Sequence, residues 1–184
     1  MKNKKETKSP FVVKVDKDIT LKIRTPNEAK KVFELVDKNR KHLDTFLYWV
    51  SSTKNVSDSR TFIKKQLKNF KENTGCDFGI YFKNELVGSG GFHNIDLKNK
   101  NAEIGYWIDK DFEGQGIVRK SVQKIIEIGK KKYKLHRITI KMEPLNERSK
   151  NIPKSLGFVY EGTQKDVVLV DKKFKSLETW ALVF

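Results

Sequence analysis

Ala102-Glu-Ile-Gly-Tyr-Trp-Ile-Asp109, followed by Glu113-Gly-Gln-Gly-Ile-Val118, is the stretch on which the fold turns. The first segment has the composition of a strand and runs into a polar turn. The second is a glycine-rich bend that opens a helix, because Val118, Val122, Ile125, Ile126 and Gly129 then recur at helical spacing with lysines opposite. Glycine at 114 and 116 lets several backbone N–H groups converge on one point, and the helix N-terminus adds partial positive charge there. Such a strand–turn–helix is an anion site suited to a pyrophosphate. A Gly-x-Gly also serves as a plain strand-to-helix turn, and both readings stand at this point. No Lys-Ser/Thr follows in the Walker arrangement, which argues against P-loop nucleotide binding.

Upstream, Phe78–Phe82, Leu86–Asp96 and Ala102–Ile108 are successive strand-like runs joined by polar turns, as in an antiparallel meander. Gly88-Ser-Gly-Gly91 lies inside the second run, where close approach of neighbouring backbone is the expected reason for glycine. Thr25-Pro26-Asn27-Glu28 is a capping box with proline at the first helical position. Ala29, Val32, Phe33 and Val36 follow at helical spacing, and Leu43, Phe46 and Leu47 extend the apolar face. A second helix is expected from an N-cap at Ser57, along Phe62, Ile63, Gln66, Leu67 and Phe70, to a stop at Gly75. Before these helices, Phe11–Val15 and Ile19–Ile23 alternate as strands around a turn.

Downstream, Ile138, Ile140 and Met142 share one side of a strand, a helix runs from near Asn146 to Gly157, and Val167–Val170 with Trp180–Phe184 close the chain as a hairpin. The expected class is α+β: a mixed, mostly antiparallel sheet flanked by helices, with a β–loop–α–β unit at its centre. There is no internal repeat. Residues 1–9 are expected to be a disordered basic tail and residues 10–184 a single domain.

The 184 residues carry 39 Lys and Arg against 23 acids, a formal charge of +16. Such a surface steers polyanions: nucleic acid, ribosomal RNA or a phosphorylated cofactor. A lysine-rich solvating surface is the competing explanation, since the lysines are spread along the chain. The one cysteine, Cys76, rules out an internal disulfide, and His42, His93 and His136 have no ligand spacing, so no metal is expected. No apolar run approaches the length of a membrane span, and Met1–Ser9 lacks the hydrophobic stretch of a signal peptide, so a cytoplasmic location is expected.

Further segments extend the central motif into an ordered series: Leu135-His-Arg-Ile138, Asn146-Glu-Arg-Ser149 and Leu156-Gly-Phe-Val-Tyr-Glu-Gly162. Their order and spacing resemble the GNAT superfamily of N-acetyltransferases, and within it the ribosomal-protein N-terminal acetyltransferases of the RimJ/RimL kind. The resemblance covers nearly the whole chain. It implies a GNAT-like sheet splayed at the cofactor site and acetyl-CoA as co-substrate. The family's Gln/Arg-x-x-Gly-x-Gly/Ala pattern falls on Glu113–Val118, with Glu113 in place of Gln/Arg and Val118 in place of the last small residue. The implied cofactor-binding set is Trp107, Ile108, Glu113, Gly114, Gln115, Gly116, Ile117, Val118, Arg119, Asn146 and Ser149, with the strand Tyr106–Ile108 offering its backbone to the pantetheine amides. Ser149 matches a serine proposed to protonate the departing thiolate. The tyrosine that many GNAT enzymes place one turn later is Pro153 here, and a proline there leaves the Ser149 carbonyl without its helical N–H partner.

Glu103 is the candidate base, through water, against the alternative of a structural carboxylate. The base of RimL-like enzymes cannot be carried over, since its position is occupied by Val168. His93 is a further candidate. Cys76 is expected in the core, and Tyr48 and Trp49 either shape the acceptor pocket or pack in the core. The expected acceptor is an amine, in particular a protein N-terminus. A small amine such as an antibiotic or polyamine, and a non-catalytic RNA- or ribosome-binding role, are the competing readings. Ribosome association and homodimerisation are left open.

Overall fold

In the computed structural model, which describes Ser9 and residues 11–184, the chain forms one open eight-stranded sheet with helices on both faces. The elements are β1 (Val12–Lys14), β2 (Ile19–Ile23), α1 (Ala29–Lys38), α2 (Arg40–Leu43), α3 (Val56–Glu72), β3 (Cys76–Phe82), β4 (Glu85–Asp96) and β5 (Asn101–Ile108). They continue with α4 (Ile117–Lys132), β6 (Arg137–Met142), α5 (Glu147–Ser155), β7 (Val159–Val170) and β8 (Lys173–Val183). The strand order is β1-β2-β3-β4-β5-β6-β8-β7. Every neighbouring pair is antiparallel except β5 and β6, which α4 connects as a parallel crossover. The mixed, mostly antiparallel sheet flanked by helices expected from the sequence is the sheet found.

What matters for the site is where β5 and β6 part. They pair only at Asn101↔Arg137, Ala102↔Ile138 and Glu103↔Thr139. From Ile104 onward β5 is bonded to β4 alone, and its other edge is open. Beyond the same point β6 is paired with β8 as far as Met142↔Glu178. A V-shaped gap therefore lies between two well-held strands.

The main core packs α4 against one sheet face through Val122, Ile125, Phe92, Ile104, Ile138 and Ile140. A second cluster joins α1 and α3 to the other face through Val32, Val36, Ile63 and Tyr81. On that side Arg24 and Asp77 form a buried ion pair, and Arg24 also donates to Ser89 Oγ at 3.0 Å, so β2, β3 and β4 are pinned by one polar contact set. Gly88 and Gly91 of β4 are there for backbone proximity: a Cβ at Gly91 would sit 1.9 Å from the Cys76 carbonyl oxygen, and one at Gly88 would sit 2.3 Å from that of Trp107.

Local expectations hold with corrections at the ends. The Thr25–Glu28 box is present, with Glu28 accepting from the Thr25 N–H at 2.8 Å, though its first turn is a 3-10 helix over Pro26–Glu28. The N-cap of α3 is Asn55, not Ser57. Its side chain accepts from Ser57 N (2.8 Å) and Asp58 N (3.2 Å), and Asp58 returns the bond to Asn55 N. The helix stops at Asn73, left-handed at φ 56°, not at Gly75, because an asparagine tolerates that conformation almost as glycine does. The closing hairpin is far longer than Val167–Val170 with Trp180–Phe184, and it turns at Asp171 and Lys172, both at positive φ. The tail expectation falls, for residues 1–8, outside the described residues, whereas Ser9 is anchored through its hydroxyl, 2.7 Å from the Ile23 carbonyl.

Candidate functional site

The gap between β5 and β6 opens into a cavity of about 1030 Å³. One wall is the unpaired edge Tyr106–Ile108; the floor is Gly114, Gly116 and the first turn of α4 with Ile117, Val118 and Arg119. Asn146, Ser149 and Ile152 of the α5 segment face them, and His42, Phe46 and Leu47 close the far side. Gly114 and Gly116 have φ of +73° and +74°, and a Cβ at either would meet nothing within 4 Å. Glycine is thus demanded by backbone handedness rather than by space, and the left-handed pair turns the N–H groups at the start of α4 toward one point. No side chain caps that helix end, so its donors remain available to an anion.

The turn is held from behind. Lys38, at the end of α1, donates to Asp109 at 2.7 Å and to Asp111 at 2.6 Å. Asp109 accepts from the Asp111 N–H at 3.2 Å, and Asn39 Oδ1 accepts from Lys110 N at 3.0 Å. Burial pushes the Asp109 carboxyl up, but Lys38 and the N–H donors outweigh it and hold the group below the usual carboxylate range.

At the mouth, Glu113 spans the cavity rather than presenting a free carboxylate. It contacts His42 Nε2 at 2.9 Å and Arg148 Nη1 at 2.7 Å, linking α2 to α5. At the inner end, Asn146 caps α5 by accepting from Ser149 N at 3.1 Å. Pro153 lies inside that helix. The Tyr106 hydroxyl reaches across from β5, donates to the Ser149 carbonyl at 2.9 Å and lies 3.0 Å from Ser149 Oγ.

The family model for the acetyltransferase (GNAT) domain matches residues 19–159, from β2 to the first residue of β7, and so takes in the sheet gap, the glycine turn and α5. The chain is a GNAT acetyltransferase. It is 28% identical over 171 residues to the ribosomal-protein-serine acetyltransferase of Escherichia coli, covering 93% of this chain and 96% of that protein. Among solved structures it is similar to the microcin C7 self-immunity acetyltransferase MccE in complex with acetyl-CoA and AMP, with TM-score 0.90, 27% identity and coverage of 96% and 98%. RimL, an L7/L12 α-N-protein acetyltransferase in complex with coenzyme A, superposes with TM-score 0.91 at 24% identity, covering 95% and 98%, a likeness of fold. The co-substrate of the enzyme is acetyl-CoA.

Most of the site expected from sequence converges on the cavity: Trp107, Ile108, Glu113, Gly114, Gly116, Ile117, Val118, Arg119, Asn146 and Ser149 all line it. Gln115 does not, and its amide turns back toward the Asp111 carbonyl at 3.4 Å. Glu103 does not line it either. It stands where β5 and β6 are still paired and forms an ion pair with Lys141 at 3.2 Å, so the structural-carboxylate alternative describes its surroundings better than a base. His93 is its cross-strand neighbour and is likewise outside the cavity, with burial pulling its pKa down against the pull of Glu103. Cys76 is fully buried, which pushes its thiol up to about 12. Tyr48 and Trp49 miss the cavity: Tyr48 donates to Glu143 at 2.6 Å, and Trp49 lies 6.1 Å from Trp107, ring to ring.

Sequence reasoning passed over His42, Arg148 and the Tyr106 hydroxyl. For Tyr106 a signal existed: a helix proline that strands a carbonyl calls for a donor from elsewhere. Among the described residues no group of His, Cys, Asp and Glu could hold a metal ion, and no helix is long and apolar enough to cross a membrane.

Proposed function

We propose that the enzyme transfers the acetyl group to a protein N-terminal α-amine, with a ribosomal or ribosome-associated protein as acceptor, working in the cytoplasm. The observation that carries this reading is the likeness to a ribosomal-protein-serine acetyltransferase across nearly the full length of both chains. The backbone N–H groups at Gly114, Gly116 and the start of α4 would take the pyrophosphate, and the open edge Tyr106–Ile108 would bond the pantetheine amides as an added strand does. Asn146 and Ser149 then flank the inner end, where the thioester carbonyl is attacked by the neutral amine and the thiol leaves. Ser149 Oγ supplies the proton to the departing sulfur, and no covalent enzyme intermediate is required.

With Glu103 held by Lys141, no strong base is assigned, which bears on the acceptor. An α-amine has a reference pKa near 8 and a lysine near 10.4, so far more of the former is neutral at pH 7. The carboxylates behind α5 are also matched by cations: Glu143 by Lys175 at 3.1 Å and Glu178 by Lys150 at 3.0 Å. That neutralised surface suits a polyamine poorly, and the +16 charge favours approach to a polyanionic ribosome. Mass spectrometry of products from a panel of N-terminal peptides, lysine peptides and polyamines is the test. Acetylation at the α-amine is the expected outcome. Modification confined to lysine side chains or polyamines would overturn the acceptor and leave the fold and co-substrate standing.

A further inference from the structure

We infer that Tyr106 is a positioning residue for Ser149, doing from the neighbouring strand what the helix cannot do for itself. The inference rests on the reading of Ser149 as the proton donor and adds the device that holds it. In an uninterrupted helix the Ser149 carbonyl would accept from the N–H of residue 153. Pro153 has no N–H, so the carbonyl beside the reacting thioester would be left unpaired in a half-buried site, at a cost typical of an unsatisfied acceptor. The Tyr106 hydroxyl donates to that oxygen at 2.9 Å. Its own oxygen then lies 3.0 Å from Ser149 Oγ, within reach of the serine proton.

Both contacts come from one rigid source. Tyr106 pairs with Gly90 of β4, so its place along the sheet is fixed by strand register. The ring packs against the main core, and its position is set by a central strand rather than by a loop. Burial also pushes the phenol up, so the hydroxyl stays protonated and remains a donor throughout the working range. The serine carries two torsions beyond its backbone, χ1 and the hydroxyl rotor. With its carbonyl held and its hydroxyl leaning on a fixed oxygen, the Ser149 proton rests at the inner end of the cavity until negative charge on sulfur draws it away. The proton passes from Ser149 Oγ to the departing thiolate, giving free thiol, and the proton that the attacking amine sheds as the amide forms restores the serine hydroxyl; Tyr106 gives up no proton of its own in this step.

The test compares Tyr106→Phe, Ser149→Ala and the double variant in steady-state kinetics, with calorimetric binding of coenzyme A alongside. Loss of one hydrogen bond of ordinary strength predicts a fall in kcat of about threefold to tenfold in Tyr106→Phe, with the acetyl-CoA KM and coenzyme A affinity kept within about twofold. The double variant should be no slower than Ser149→Ala, because the tyrosine acts only through the serine. A wild-type kcat in Tyr106→Phe, or losses that multiply in the double variant, would overturn the inference while Ser149→Ala remained impaired. Wild-type turnover in Ser149→Ala would instead sink the acid assignment itself. Should Tyr106→Phe fold poorly, adding Pro153→Ala restores a backbone donor to the stranded carbonyl. The pair should then fold yet stay below Pro153→Ala alone in kcat, and equality between them would overturn the positioning role.

Discussion

Gly116 concentrates the chemistry of the cofactor turn in one backbone conformation. Its φ of +74° costs an L-residue about 1–2 kcal/mol, while the space around a Cβ is empty. Gly116→Ala is therefore expected to lower unfolding free energy by about 1 kcal/mol and leave coenzyme A binding measurable. Gly116→Asp adds a carboxylate beside the expected pyrophosphate and should abolish binding by calorimetry in a protein that still folds. Equal affinity in the Asp variant and wild type would rule the turn out as the phosphate cradle. The glycine pair was legible in sequence because a left-handed turn before a helix is a local demand. The arrangement around Glu113 was not, since the carboxylate's partners, His42 and Arg148, lie 71 and 35 residues away in numbering, and the family pattern alone assigns that position to the phosphate.

At the scale of elements, the β2–β3–β4 junction depends on the buried Arg24–Asp77 pair with Ser89 between them. The side chains are 3% and 7% exposed, so removing one partner strands a charge with no water to receive it. Asp77→Asn should cost about 3 kcal/mol, seen as a lower urea midpoint with unchanged slope. A loss under about 0.5 kcal/mol would show that the pair behaves as a surface contact. Element ends followed similar logic. The capping box at Thr25 and the start of a helix near Asn146 were visible because each is signalled within a turn of its own helix. The start of α3 at Asn55 was missed because Ser57 is an equally acceptable cap by type, and only the reciprocal bond with Asp58 separates them. The long β7–β8 hairpin escaped because β7 is exposed along most of its length and β8 is half-buried along most of its own, so no alternation marks either.

For the molecule as a whole, pH acts in two windows. Burial holds the native His93 pKa below its unfolded value near 6.5, so the unfolded chain binds the extra proton first as pH falls. Its contribution to stability is complete above pH 6.5 and is lost as pH drops toward the native value. Asp16 is held low by Lys120, Glu161 by Arg137, and Asp109 by Lys38 and its N–H donors against burial. These carboxylates contribute stability above their unfolded values near 4, which disappears as pH falls through the native ones. Thermal midpoints followed by circular dichroism should thus decline gently from about pH 6.5 and steeply below about pH 4. His93→Gln should flatten the first decline and leave the second. A first decline unchanged in that variant would place its origin in another group.

The sequence by itself determined the α+β class, the order of elements, the glycine turn and the identity of α5 as the segment carrying Asn146 and Ser149. Each of these rests on propensities, caps and periodicities that operate within a few residues. Only the tertiary structure decided that β5 and β6 part after Glu103, that Glu103 faces Lys141 outside the cavity, and that Tyr106, 43 residues from Ser149, reaches its carbonyl and hydroxyl. Those outcomes depend on register between strands joined through α4 and on which side chains it brings within hydrogen-bond distance. A shift of one residue in that pairing would turn Tyr106 to the opposite face, and no local feature of the chain excludes it.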